Sequence, residues 1–155
     1  MNIEQIGHVA IRAKNLDRTL AFYSGALGFP ETLRYTYADG STLCVYLRVT
    51  EHQYLEIFPH GRGDRAPGRF DTAINHFCFV VRDIDAAAET LAAAEIPIAR
   101  ELLTPEGRLL FIADPDGNLV ELLGPQPAAF QLAAAQAVGR GEAPVVVKTT
   151  TPRPG

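Results

Sequence analysis

The sequence predicts an α+β domain made of two βαβββ modules in tandem, and three observations predict it. Residues 6–29, IGHVAIRAKNLDRTLAFYSGALGF, resemble residues 74–96, INHFCFVVRDIDAAAETLAAAEI. Each stretch is an apolar strand with His at its third position, followed by an acidic turn that opens a helix. Both halves then run through shorter strands and close on similar runs, YLEIF at 54–58 and LVELL at 119–123. The helical stretches are amphipathic, so a helix should cover one face of each sheet.

In the opening strand, period-two alternation puts Ile6, His8, Ala10 and Arg12 on one face. The helix that follows carries Leu16, Leu20, Tyr23 and Leu27 along one side, with Asn15 as its N-cap and Gly28 at its end. Asp39-Gly40 separates ETLRYTY from TLCVYLRV as a hairpin turn. YLEIF completes a first module over 1–59, and the Gly-, Pro- and Arg-rich stretch within 60–72 reads as a linker. In the second module, over 73–124, alternation groups Ile74, His76, Cys78 and Val80. Its Ala-rich helix is capped by Asp83 and stops before Pro97. Asp114-Pro115-Asp116-Gly117 turns RLLFIA into NLVELL. Residues 125–155 form a C-terminal extension, in which PAAFQLAAAQAV suits a helix and APVVVKTTT either a strand or a disordered tail.

A chain of 155 residues with 47% hydrophobic and 21% charged content is long enough for one compact domain with a buried core. The net charge of −4, with scattered Lys and Arg, lacks the basic excess that phosphate-backbone binding needs, so no nucleic-acid partner is expected. MNIEQIGHVAIR lacks the pattern of a secretory signal and no run reaches transmembrane length, which predicts a cytoplasmic protein with no membrane partner. Cys44 and Cys78 sit in apolar runs and read as thiols in a reducing compartment rather than as a disulfide.

His8, Glu56, His76 and Glu121 each lie in a strand-like run, and the two His occupy matching positions in the repeat. Taken singly, a strand His is more often a hydrogen-bonded core residue and an inward Glu a half-exposed edge residue. The matched positions favour a shared purpose. Each Glu points to a face with apolar neighbours, where an isolated carboxylate is costly to ionise. Two carboxylates would neutralise a divalent ion, offsetting the desolvation of the cluster. Mixed imidazole and carboxylate donors suit one Ni²⁺, Co²⁺, Zn²⁺, Mn²⁺ or Fe²⁺ per site better than Ca²⁺ or Mg²⁺. Four protein ligands on an octahedral ion leave two positions for water or substrate, the arrangement of a Lewis-acid site.

GHVAIR, FYSGALGF, NHFCFVV and FIADPDGNLVELL carry a resemblance, over roughly residues 1–124, to the vicinal oxygen chelate superfamily. That superfamily includes glyoxalase I, methylmalonyl-CoA epimerase, extradiol dioxygenases, and fosfomycin- and bleomycin-resistance proteins. The resemblance implies an open, cup-shaped mixed sheet around a metal site, and a homodimer. The order His8, Glu56, His76, Glu121 is similar to the ligand set of glyoxalase I. It implies a metal-dependent lyase/isomerase that converts a hemithioacetal, such as a glutathione adduct, or a related α-hydroxycarbonyl compound through a metal-stabilised enediolate. By the same resemblance Glu121 is the main base and Glu56 the second catalytic carboxylate. Arg12, four residues after the first ligand, stands where glyoxalase I binds a glutathione carboxylate, and at strand spacing it lies on the order of 13 Å from His8. Arg100 and His60 are further candidates for substrate contact, although strand-end arginines are commonly solvated. The chain departs from that pattern at His60, where glyoxalase I typically has Asn, and at Thr72, where a basic residue is expected and Arg69 is near. Three alternatives stay open: an epimerase or other enolising enzyme without thiol, an extradiol dioxygenase, and a non-catalytic module that sequesters a ligand.

Overall fold

The computed structural model describes residues 2–63, 66–67, 71–104 and 107–147. Asn15 begins the first helix as expected: its side-chain carbonyl accepts the Arg18 N–H at 3.0 Å. Helix α1, Leu16–Leu20, continues into a π-helical turn, Ala21–Ala26, closed by the Leu27 N–H donating to the Phe22 carbonyl at 3.0 Å. The chain leaves through Gly28 at φ +77°. The π turn was not legible in the apolar spacing, because a one-residue widening preserves the buried face and still packs Phe22 and Tyr23 inward.

Strands β1 (His8–Arg12), β2 (Glu31–Thr36), β3 (Thr42–Arg48) and β4 (Tyr54–Phe58) form one sheet in the order β1-β4-β3-β2. Strands β5 (Phe77–Val80), β6 (Ile98–Thr104), β7 (Gly107–Ala113) and β8 (Leu119–Leu123) repeat it as β5-β8-β7-β6, with α2 (Ile84–Ala93) after β5. In each module the first strand pairs in parallel with the last, and the other pairings are antiparallel. The chain is therefore α+β with two βαβββ modules, as its repeat predicts, and its two mixed sheets are open. β1 and β5 each lie at a sheet edge. His76 falls one residue before β5 rather than within it.

One face of each sheet packs inward. Val9, Ile11, Val45, Leu47, Leu55 and Ile57 from the first module join Phe77, Phe79, Leu110, Ile112, Val120 and Leu122 from the second, with Phe22, Tyr23 and Leu91 from the helical segments, in a single apolar cluster. Each fully buried large side chain contributes roughly 1.5–3 kcal/mol of hydrophobic stabilisation. By alternation, the opposite faces carry His8, Glu56 and Glu121.

Tyr23 ties the modules together. Its ring lies 6.4 Å from that of Phe77, and its buried hydroxyl donates to Asp114 at 3.0 Å. Burial first, and then the Asp114 carboxylate, push the phenol far above its usual range, so Tyr23 stays a neutral donor. Asp114 also accepts from the Asp116 N–H at 2.9 Å and the Asn118 N–H at 2.8 Å, which shapes the turn before β8. Tyr23→Phe should therefore cost about 1.5–3 kcal/mol, the range for a hydrogen bond to a charged group. Urea denaturation measures this, and an unchanged midpoint would remove Tyr23–Asp114 from the stabilising contacts.

In the C-terminal extension, Pro125–Gly139 forms helix α3, with Pro in its first turn. Residues 142–147 form neither helix nor strand, and the remainder of the expected strand, 148–155, lies outside the described residues, as does Arg69 of the linker. Among the described residues no helix is long and apolar enough to cross a membrane.

Candidate metal centre

The parallel pairing of first and last strands brings a histidine and a glutamate together in each module. In the first, Ala10 is the register partner of Glu56, and His8, two residues earlier on the same face, reaches it with Nε2 3.4 Å from a carboxylate oxygen. In the second, Cys78 is the register partner of Glu121, and His76, again two residues earlier, stands 2.9 Å from it. The two pairs are repeats of one local design. Glu56 and Glu121 are buried, at 8% and 9% exposure, while the His8 and His76 side chains remain 48% and 34% exposed. Among the described residues neither carboxylate pairs with a Lys or Arg. Two buried carboxylates, each beside an open imidazole and without a basic counter-ion, form a donor set that fits a divalent transition metal.

The structure brings the four predicted ligands together in pairs, not as a quartet. Among the described residues no group of three or more His, Cys, Asp or Glu side chains is arranged to hold an ion within one chain. The edge strands do lie near each other. Val9 and Phe77 line two common cavities, one of about 140 Å³ that includes His8 and Cys78 and one of about 300 Å³ that includes Arg12 and His76. A larger cavity of about 530 Å³ lies among Leu27, Phe29, Phe79, Val81 and Leu91 and is lined by none of the four.

Arg12 donates to the Pro59 carbonyl at 3.0 Å and holds its guanidinium 5.2 Å from the centre of the Phe58 ring. It shares a further cavity, about 110 Å³, with His60, which follows β4 at φ +63°. Arg100 lies 4.1 Å from the centre of the Phe111 ring, and Phe111 stands edge-on to His76 at 5.7 Å. Arg12 and Arg100 thus each stack on an aromatic ring of a site-facing strand.

Tyr46, Cys44 and Phe111 also touch the site, and only Cys44 drew notice in the sequence. Tyr46 and Phe111 are the cross-strand partners of Glu56 and Glu121. Their signal was the same alternation, applied to the third strand of each module once its register is known. Hydrogen bonding to Glu56, then burial, pushes the Tyr46 phenol up to about 12. Burial, then Glu121, pushes the Cys78 thiol up to about 12, and burial, then Glu56, raises that of Cys44. Burial and a neighbouring carboxylate favour the neutral thiol at both positions. Both are free.

A family model for the Glyoxalase/Bleomycin resistance protein/Dioxygenase superfamily matches residues 5–122, and the chain belongs to that superfamily. Among its relatives is the lactoylglutathione lyase of Pseudomonas putida, 26% identical over 148 residues, an alignment covering 77% of this chain and 84% of that protein. A solved structure of the trypanothione-dependent glyoxalase I of Leishmania major aligns at 25% identity with a TM-score of 0.69, covering 91% of this chain and 100% of the other. The fold is shared as well by TnmS3, an antibiotic-binding protein from Streptomyces, at 20% identity and a TM-score of 0.63, over 81% of this chain and 98% of that one.

Proposed function

We propose that the chain is a metal-dependent lyase/isomerase of the glyoxalase I type, acting on a hemithioacetal or a related α-hydroxycarbonyl compound. The observation that carries this reading is the pair of repeat-matched His–Glu contacts, His8–Glu56 at 3.4 Å and His76–Glu121 at 2.9 Å. The relatives named lactoylglutathione lyase and glyoxalase I support it. His8, Glu56, His76 and Glu121 would hold the ion, which when bound supplies Lewis-acid stabilisation of charge developing on adjacent substrate oxygens.

The chain's own residues perform the proton transfer. Glu121 takes a proton from the carbon next to the carbonyl and returns one to its neighbour, and Glu56 stands on the other side as the second carboxylate. Burial against apolar strands keeps bulk water from both carboxylates. Arg12 and Arg100, stacked on Phe58 and Phe111, would receive the substrate's acidic groups. Because each chain carries its ligands as two separate pairs, we further propose a homodimer in which one site takes a pair from each copy.

Reloading the apoprotein with Ni²⁺, Co²⁺, Zn²⁺, Mn²⁺ or Fe²⁺ and assaying methylglyoxal with and without glutathione tests the assignment. Turnover that needs both ion and thiol is expected. Turnover without thiol would move the chain to the enolising enzymes that use none, a reading favoured by His60 and Thr72 at positions where glyoxalase I has other residues. Ligand binding by metal-free protein, with no turnover under any condition, would make it a sequestering module.

A further inference from the structure

The edge strands β1 and β5 face each other without pairing, and the space between them is continuous. Arg12, at the end of β1, shares a cavity with His76, just before β5, while His8, at the start of β1, shares one with Cys78. The two edges therefore run in opposite directions. A cavity of about 180 Å³ beside Arg12, Lys14 and Arg62 shares Arg12, Ala66, Pro67 and Asn118 with the 300 Å³ cavity at His76. That one shares Val9 and Phe77 with the 140 Å³ cavity at His8, which in turn shares Val49, Gln53, Cys78 and Phe79 with the 530 Å³ cavity that reaches Leu91 on α2. These four cavities form one cleft, with His76 and His8 along its middle.

The two ends of the cleft differ in chemistry. At one end Arg12, Lys14 and Arg62 face a single carboxylate, Asp116, which already accepts the Lys14 backbone N–H at 3.0 Å. Among the described residues none of the three cations forms an ion pair. The other end is lined by Leu27, Phe29, Phe79, Val81, Leu91 and Leu122, and among the described residues its lining carries no charge. Only Thr50, Gln53, Thr90 and the Cys78 thiol are polar there. Its volume is in the range of small-molecule sites, whose walls are mostly apolar with a few polar groups that fix orientation.

We propose that the β1–β5 cleft binds an elongated molecule with an anionic group at the Arg12 end and a long apolar chain at the Leu91 end, and that the substrate has this form. The second half of the statement rests on the lyase/isomerase reading above; the first does not. Unpaired cations beside a cavity stabilise a carboxylate or phosphate, and an uncharged apolar wall stabilises a chain that leaves water. Arg12 and His8 are about 13 Å apart along β1, so a molecule anchored by its acid at Arg12 reaches the histidines in mid-length. The apolar substituent then continues past His8 into the largest cavity, which a methyl group would leave mostly unfilled.

Calorimetric titration of the metal-free full chain with acetate, hexanoate, octanoate, 1-octanol and octyltrimethylammonium tests the binding. From hexanoate to octanoate each added methylene should tighten binding by up to about fourfold, the figure for a fully buried CH₂. Octanoate should bind more tightly than octyltrimethylammonium. Lys14→Glu with Arg62→Glu, both at exposed positions, should weaken octanoate by at least about tenfold and leave 1-octanol unchanged. Thr90→Trp, which fills the other end from an exposed position on α2, should weaken both, with circular dichroism as the check on folding. Octanoate that binds no better than acetate, or no better than octyltrimethylammonium, overturns the proposal, and the parent chain alone decides this. Turnover of the metal-loaded protein with thiol is then compared for methylglyoxal and 2-oxooctanal. A kcat/KM at least about tenfold higher for 2-oxooctanal is expected. Equal values overturn the substrate class. Octanoate binding as expected with turnover of neither aldehyde overturns the lyase reading and supports the cleft as a site for amphipathic acids.

Discussion

Glu121→Ala is expected to lower kcat by at least about 10²-fold, the smaller end of what a positioned general base contributes. The carboxylate stands 2.9 Å from His76 and is 9% exposed, so bulk water is a poor substitute for it as a base. Glu121→Gln separates its two capacities: the amide keeps an oxygen for an ion but has lost the basic oxygen that accepts a proton. Metal content measured alongside kcat distinguishes them. A Gln variant that binds metal and turns over at the parent rate would remove Glu121 as the base. Glu56→Gln should act more on metal retention than on kcat, since Glu121 is the main base in the proposed reading.

Mixing two inactive variants is expected to restore activity. One carries His8→Ala with Glu56→Ala, the other His76→Ala with Glu121→Ala, so each chain keeps one intact His–Glu pair. If every site takes one pair from each copy, a mixed dimer contains one site with all four ligands and one with none. Random assortment then returns roughly a quarter of the parent activity, because half the dimers are mixed and each has one of two sites intact. If all four ligands came from the same chain, no mixed species would contain a complete set. A refolded 1:1 mixture as inactive as its components would therefore place the site within one chain. Light scattering on the mixture confirms that dimers have formed.

Much of the fold was legible because it depends on local, periodic rules. The repeat of a strand with His at its third position, the Asn15 and Asp83 caps and the Asp-Gly turns each specify their element through hydrogen bonds and backbone angles a few residues apart. Gly40 and Gly117 take positive φ of 83° and 88°, as those turns require. The two strand carboxylates were legible for the same reason: an ionisable residue in an apolar strand contradicts its neighbours. The π turn after α1 and the start of β5 after His76 were not, because single-residue shifts in backbone pairing leave the apolar pattern intact.

By itself the sequence determined the two modules, the helix-covered faces, the four candidate ligands and their pairing by repeat, since all follow from side-chain period and local turn chemistry. Tertiary structure alone decided which residues stand across the ladder from those ligands, because register between strands distant in sequence is set by how whole faces bury. That is why Tyr46 and Phe111 emerged only from the pairing of β3 with β4 and of β7 with β8. Tertiary structure also decided that the four candidate ligands stand two by two rather than four together within one chain. Alternation assigns a residue to a face, but the distance between faces of different sheets depends on how the modules pack, which no local period encodes.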